Sequence, residues 1–187
     1  MEGFDELTVT PAGRDALGRL RAVAGRAGGP MERHCLRVRH IAAELARSRG
    51  WEVDGEVLTV AAILHDIGLY PGASRGGVYT ADGAALAREM LAAHGWTAER
   101  AQRCAEAIDR HHELRNQLGR GGEVEALRLA DRVELGGGLL TCGLDRGWLR
   151  ELNQAVPRRG LLGELVREVG RALRERPLTV PRIFWRS

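Results

Sequence analysis

Ala61-Ala62-Ile63-Leu64-His65-Asp66-Ile67-Gly68 is the stretch on which the fold turns. Apolar residues run up to an adjacent ionisable pair, and a glycine stop signal follows. Upstream, Val57, Ala61 and Leu64 recur at helical spacing, which predicts a helix over 55–67 with His65 and Asp66 at its end. Successive helical residues point about 100° apart. Both side chains reach a common point only if it lies beyond the helix end, where the loop after Gly68 leaves room.

Working outward, the pattern stays helical. Thr10 and Pro11 read as an N-cap and a first helical position for a helix through Leu17, Leu20 and Val23, broken by Ala27-Gly28-Gly29-Pro30. His34, Val38, Ile41 and Leu45 place a histidine on the apolar stripe of a helix over 30–48. Residues 71–77 form a Gly-rich loop that follows no strand and matches no phosphate-binding fingerprint. A helix over 81–94 ends at Gly95, with His94 as a helix-end residue. The next starts at Thr97 and reaches about 118, with Ala101, Cys104, Ile108 and His111 on its face and His112 beside them. Another carries Val124, Leu127 and Asp131. Two more are expected over 145–154 and 161–175. His40 lies off the face of His34 and reads as surface or structural. No strand-like alternation occurs, so the expected fold is all-α, one domain over 1–187. Its motif-bearing part is about 30–136, and C-terminal helices with a tail follow over 137–187.

Composition narrows the function classes. With 187 residues, 44% hydrophobic and 28% charged, the chain is long enough for one sizeable core. No apolar run is long enough for a membrane span. The acidic start from Met1 to Val9 lacks a signal core, so a cytoplasmic location is expected. Cys35, Cys104 and Cys142 form no CxxC pair and read as buried free thiols. All 28 basic residues are Arg, and the net charge is +3. They are scattered among acids, and the chain holds only four Trp, two Tyr and two Phe, a poor base-stacking platform that argues against nucleic acid as a partner. The apolar tail after Pro177, with Trp185, suggests a segment lying on the body or on a second subunit, as in a homodimer.

Ionisable side chains therefore stand on otherwise apolar faces of separate helices: His34, His111 and Asp131, plus the pair His65-Asp66. A buried carboxylate is costly without a cation or a partner. Several such residues suggest a shared centre, and a divalent metal bound by imidazoles and carboxylates is the economical solution in a helical bundle.

The order His34, His65-Asp66, Asp131 within an all-helical chain resembles the HD-domain superfamily of metal-dependent phosphohydrolases. The flanks carry the resemblance too: His34-Cys35-Leu36-Arg37-Val38, Ile108-Asp109-Arg110-His111-His112-Glu113 and Leu129-Ala130-Asp131-Arg132-Val133-Glu134. The resemblance implies an HD-type bundle with one divalent transition metal (Fe, Mn, Co, Ni or Zn) held at its centre by His34, His65, Asp66 and Asp131. It implies a metal-activated water aimed at phosphorus, with Asp66, His111 and His112 as catalytic groups. Arg37, Arg75, Arg110, Arg115 and Arg33 are the candidates for substrate phosphate. The expected substrate is a small phosphorylated molecule, such as a nucleotide.

Departures from the pattern matter as much. Tyr79 stands before Gly83-Ala84, where two-metal members carry a His, so a second ion would rely on His111 and His112. Gly68 is followed by Leu69 and not the Lys of related phosphodiesterases. No acidic pair follows His65-Asp66, as it does in alarmone hydrolases. Glu113 is followed by Leu114 and Arg115, not the Gly-Tyr-Pro of cyclic-di-GMP phosphodiesterases. Three alternatives stay open: a di-iron oxygenase on the same fold, a metal-dependent lyase or hydratase, and a non-catalytic metal- or ligand-binding regulator.

Overall fold

The computed structural model describes residues 4–25 and 29–175, and among these every regular element is a helix. In chain order they are α1 (Phe4–Leu7), α2 (Pro11–Ala24), α3 (Pro30–Arg49), α4 (Gly55–Leu64), α5 (Tyr79–Ala93), α6 (Ala98–Arg110), α7 (Gly122–Leu135), α8 (Arg146–Ala155) and α9 (Leu161–Glu175). Short 3-10 turns cover Ile67–Leu69 and Leu118–Arg120. None of the helices is long and apolar enough to cross a membrane. Ala27 and Gly28, expected to break the first helix, and the tail with Trp185 lie outside the described residues.

α4 is the axis of the bundle. Every residue from Val57 to Leu64 is at most 3% exposed, so this helix is apolar on all sides and not on one face. α2, α3, α5, α6 and α7 pack around it. Burying side chains such as Leu58, Ile63 and Leu64 supplies roughly 1.5–3 kcal/mol each. Its start is capped by Asp54, whose carboxylate accepts from the amides of Glu56 (3.0 Å) and Val57 (3.2 Å). Arg100 on α6 pairs with that same carboxylate at 2.7 Å, which ties the two helices together. Thr10 and Thr97 cap α2 and α6 as expected, accepting from Gly13 and Arg100 amides.

Three boundaries differ from the sequence expectation. α4 stops at Leu64 instead of 67, because Asp66 leaves helical geometry at φ −104°, ψ 3° and a 3-10 turn follows. Gly68 is not the stop signal. A Cβ there would lie 2.1 Å from the Tyr79 carbonyl oxygen, so Gly68 permits the close approach of the 3-10 turn to the start of α5. α5 correspondingly begins at Tyr79 and not at 81.

The third difference is larger. α6 ends at Arg110 instead of 118, so His111 and His112 lie just past its end. Side chains of α7 hold the following segment out of the helix. Arg128 and Arg132 donate to the Glu113 carbonyl (3.2 and 2.6 Å), and the Glu125 carboxylate accepts from the Gln117 amide at 2.7 Å. Tertiary hydrogen bonds thus override a helix-compatible sequence. Cys35 and Cys104 are buried free thiols as expected, whereas Cys142 is only half-buried.

Two glycines test this description. Gly68→Ala forces the 3-10 turn off α5 and should cost about 1–3 kcal/mol in urea unfolding, the usual range for overpacking. Gly18→Ala, at an exposed mid-helix site of α2 with nothing within 4 Å of the added Cβ, should instead stabilise by roughly 0.5–1 kcal/mol. Equal effects at the two positions would contradict the close approach.

Candidate metal centre

The end of α4 delivers the pair into the middle of the bundle. His65 caps the helix in right-handed geometry, and the turn at Asp66 brings its carboxylate back beside the His65 imidazole. α3 supplies His34 from one side and α7 supplies Asp131 from another. His34, His65, Asp66, His111 and Asp131 are all at most 5% exposed. His34 Nε2 stands 3.1 Å from His65 Nε2, 3.6 Å from Asp66 Oδ2 and 3.6 Å from Asp131 Oδ1. His65 Nε2 stands 3.4 Å from Asp66 Oδ2 and 3.8 Å from Asp131 Oδ1.

The other oxygens of the same two carboxylates face the opposite way. Asp66 Oδ1 lies 3.5 Å from His111 Nε2, and Asp131 Oδ2 lies 3.5 Å from His112 Nδ1. Each carboxylate thus spans two imidazole pairs, His34 with His65 and His111 with His112. Tyr79 closes the second pair. Its hydroxyl hydrogen-bonds His112 Nε2 and lies 3.4 Å from His111 Nε2. Sequence reasoning read Tyr79 only as the absence of a histidine, yet it sits in the centre.

Backbone carbonyls set the tautomers. His65 Nδ1–H donates to the Ala62 carbonyl (2.8 Å), and His111 Nδ1–H donates to the Ile108 carbonyl (2.7 Å). Both Nε2 atoms are therefore turned to the cluster. His34 Nδ1 instead faces Glu134 Oε1 at 3.9 Å, too long for a hydrogen bond but close enough for strong electrostatic coupling. Glu134 was missed from the sequence, although it follows Asp131 at i+3 on α7, the spacing that shares a helix face. It is held by Arg37 Nε at 2.8 Å and Arg158 Nε at 3.1 Å.

Electrostatics separate the two pairs. Burial works against a proton on His34, but the Asp66, Glu134 and Asp131 carboxylates outweigh it and carry its pKa up to about 10. Burial, with the neighbouring His111 and His34, pushes His65 down to about 3. Burial raises Asp131 to about 6. Burial would raise Asp66 as well, but His65, His111 and His34 hold it well below the usual carboxylate range. His111 is raised: burial opposes its charge, and Asp66 and Asp131 overcome that. Burial and the His111 charge push His112 well down. Burial, with Asp66 and Asp131, keeps Tyr79 a phenol, so its O–H donates to His112 Nε2 and the His112 proton belongs on Nδ1.

The residues fit a cation. His34 with His65 and Asp131, His65 with Asp66 and His111, and His111 with His112 and Asp131 each offer ligand atoms within 4.8 Å of one another. Around a cation with bonds of about 2.1 Å, neighbouring ligand atoms stand roughly 3.0–3.4 Å apart, close to the separations seen. Asp131 Oδ2, on the His112 side, is buried with no hydrogen-bond partner, an acceptor that a cation shared with His111 and His112 would satisfy.

The arginines fare differently from the imidazoles. Arg37 is buried and donates to Glu134 and to the Val156 carbonyl (2.8 Å). Arg75 is held by Glu89. Arg33 donates to the Arg159 carbonyl. Arg110 pairs with Glu113 at 3.4 Å, and Arg115 is exposed. In the sequence Arg110 and Arg115 stand two residues before and three after His112, whose side chain is the most exposed of the centre at 20%.

None of the curated proteins compared with the chain matches it. A family model for the HD domain matches residues 31–136, a span that contains all the converging side chains. The match covers more than half of the sequence, and the chain therefore belongs to the HD-domain family, a superfamily of metal-dependent hydrolases whose members bind divalent metals.

Proposed function

We propose that the protein is a metal-dependent phosphohydrolase acting on a small phosphorylated molecule such as a nucleotide. The observation that carries this reading is the meeting of the buried Asp66 and Asp131 carboxylates with the buried His34 and His65 imidazoles, all within 3.8 Å. His34, His65, Asp66 and Asp131 would hold one divalent transition metal. Such a metal supplies a Lewis acid and a bound water acidic enough to attack near neutral pH.

The chain's own groups supply the rest. Asp66 and Asp131 keep both imidazole pairs in register by presenting one oxygen to each. His111, whose pKa is raised because Asp66 and Asp131 outweigh burial, is placed to protonate the leaving oxygen as the phosphorus–oxygen bond breaks. Neutral His112, which accepts from Tyr79 at Nε2 and turns Nδ1 toward Asp131, orients that carboxylate at the edge of the centre. Substrate would enter on the His112 side, where Arg110 and Arg115 can neutralise phosphate charge.

The split carboxylates also favour a second reading, in which His111 and His112 hold a second ion. Iron near two per chain together with oxygen consumption would select a di-iron oxygenase instead.

Elemental analysis and a phosphatase panel test the first reading. The wild-type protein should retain close to one transition metal per chain and release phosphate from a nucleotide or an aryl phosphate. His65→Ala and Asp131→Ala should each lose both the metal and the activity. Metal-replete protein that is silent across the panel would end the hydrolase assignment.

Proton release gives an independent check. His34 carries a proton up to about pH 10 through its carboxylate neighbours, whereas a metal needs its lone pair. Metal binding at pH 7 should therefore expel about one proton from this residue, and affinity should rise about tenfold per pH unit. His65, neutral above about pH 3, contributes none. Calorimetry in buffers of different ionisation enthalpy measures the number. Binding with no proton released would show that His34 is not a ligand.

A further inference from the structure

A cavity of about 500 Å³ lies away from the cluster, lined by residues of α3, α7 and α8, and it carries an unusual charge. Arg37, Arg146, Arg150 and Arg158 all face it, with Val133 and Leu149 forming apolar wall. The carboxylate that meets these guanidiniums is Glu134, which takes Arg37 at 2.8 Å and Arg158 at 3.1 Å. Arg146 reaches only the Gly138 carbonyl, at 3.3 Å. Arg150 makes no hydrogen bond or ion pair among the described residues. Four guanidiniums against one carboxylate leave the concavity strongly cationic, a field that concentrates anions.

The chemistry is that of phosphate recognition. A guanidinium is planar, always charged, and matches phosphate oxygens bidentately. The volume falls within the range of small-ligand pockets, roughly 300–1,000 Å³. Val133 and Leu149 offer a seat for an organic group, and Asn153 adds an amide that can donate and accept. The site stands apart from the metal centre. His34 turns Nε2 toward the cluster and Nδ1 toward Glu134 at 3.9 Å, so an imidazole and a carboxylate lie between the two. Arg146, Arg150 and Arg158 fall outside the span that the family model matches.

We propose that this cavity is a second ligand site, binding a small organic diphosphate through Arg146 and Arg150 at its mouth and Arg37 and Arg158 at its back. It does not depend on turnover or on a metal at the cluster.

Isothermal titration calorimetry with ADP, inorganic pyrophosphate and adenosine tests it. The proteins compared are the wild type, the double variant Arg146→Gln/Arg150→Gln, and Asp131→Ala, which removes a carboxylate of the proposed metal centre. Arg146 and Arg150 are exposed, so their replacement leaves the core intact. ADP should bind wild type and Asp131→Ala alike. It should bind the double variant at least about tenfold more weakly, the loss expected from removing charge-assisted hydrogen bonds. Adenosine should not bind, and pyrophosphate should bind more weakly than ADP. Equal ADP affinity in wild type and the double variant, or no ADP binding at all, would overturn the site. Loss of binding in Asp131→Ala would assign the nucleotide to the metal centre instead, and His65→Ala replaces that variant if it does not fold. Pyrophosphate as tight as ADP would remove the organic seat at Val133 and Leu149, and with it the proposal.

Discussion

Two carboxylates, Asp66 and Asp131, stand in the middle of a helical core, and among the described residues no arginine forms an ion pair with either. Asp66 and Asp131 are 5% and 1% exposed. A buried carboxylate that nothing neutralises costs several kcal/mol or gives up its charge. The neutralising partners are imidazoles, which are cations only when protonated. Without a metal, a proton on His34 does that work: His34 Nε2 donates to His65 Nε2 at 3.1 Å while the carboxylates sit on either side. A divalent ion would do it better, because it serves both carboxylates and both imidazoles at once. This constraint explains why separate helices must be held in register around one point.

The fold meets that demand with a rigid axis and two interrupted helices. α4 is buried on every side, with five helices packed around it. It stops one residue before the pair, so that Asp66 turns back. α6 likewise stops before His111 and His112, with Arg128 and Arg132 pinning the segment beyond through the Glu113 carbonyl. Gly68 lets the turn after Asp66 press against Tyr79, and Tyr79 in turn fixes His112. Behind His34, Glu134 is clamped between Arg37 and Arg158, which links the centre to the arginine-lined cavity through one carboxylate.

Much of this was legible in the sequence, for identifiable reasons. Helical periodicity and caps such as Thr10 and Thr97 are local signals, and they located the helices. Charged residues on apolar stripes gave His34 and Asp131, because burial of a charge is improbable by chance. What failed was decided by contacts between distant residues. The end of α6 depends on α7 arginines that no local window contains. Gly68 looked like a stop and is a close approach, a difference visible only once Tyr79 is opposite it. The pairing of Arg37 with a carboxylate ninety-seven positions later was likewise beyond any local window. Tyr79 was judged against a missing histidine, not by what its own hydroxyl could reach. Glu134 could have been found by extending the Asp131 face by one turn.

The most direct measurement is an anomalous-scattering crystal structure of the protein grown with manganese, iron, cobalt, nickel or zinc. The account predicts an anomalous peak about 2.0–2.3 Å from His34 Nε2, His65 Nε2, Asp66 Oδ2 and Asp131 Oδ1. A peak bound by other residues, or Asp131 turned away from every ion, would contradict it.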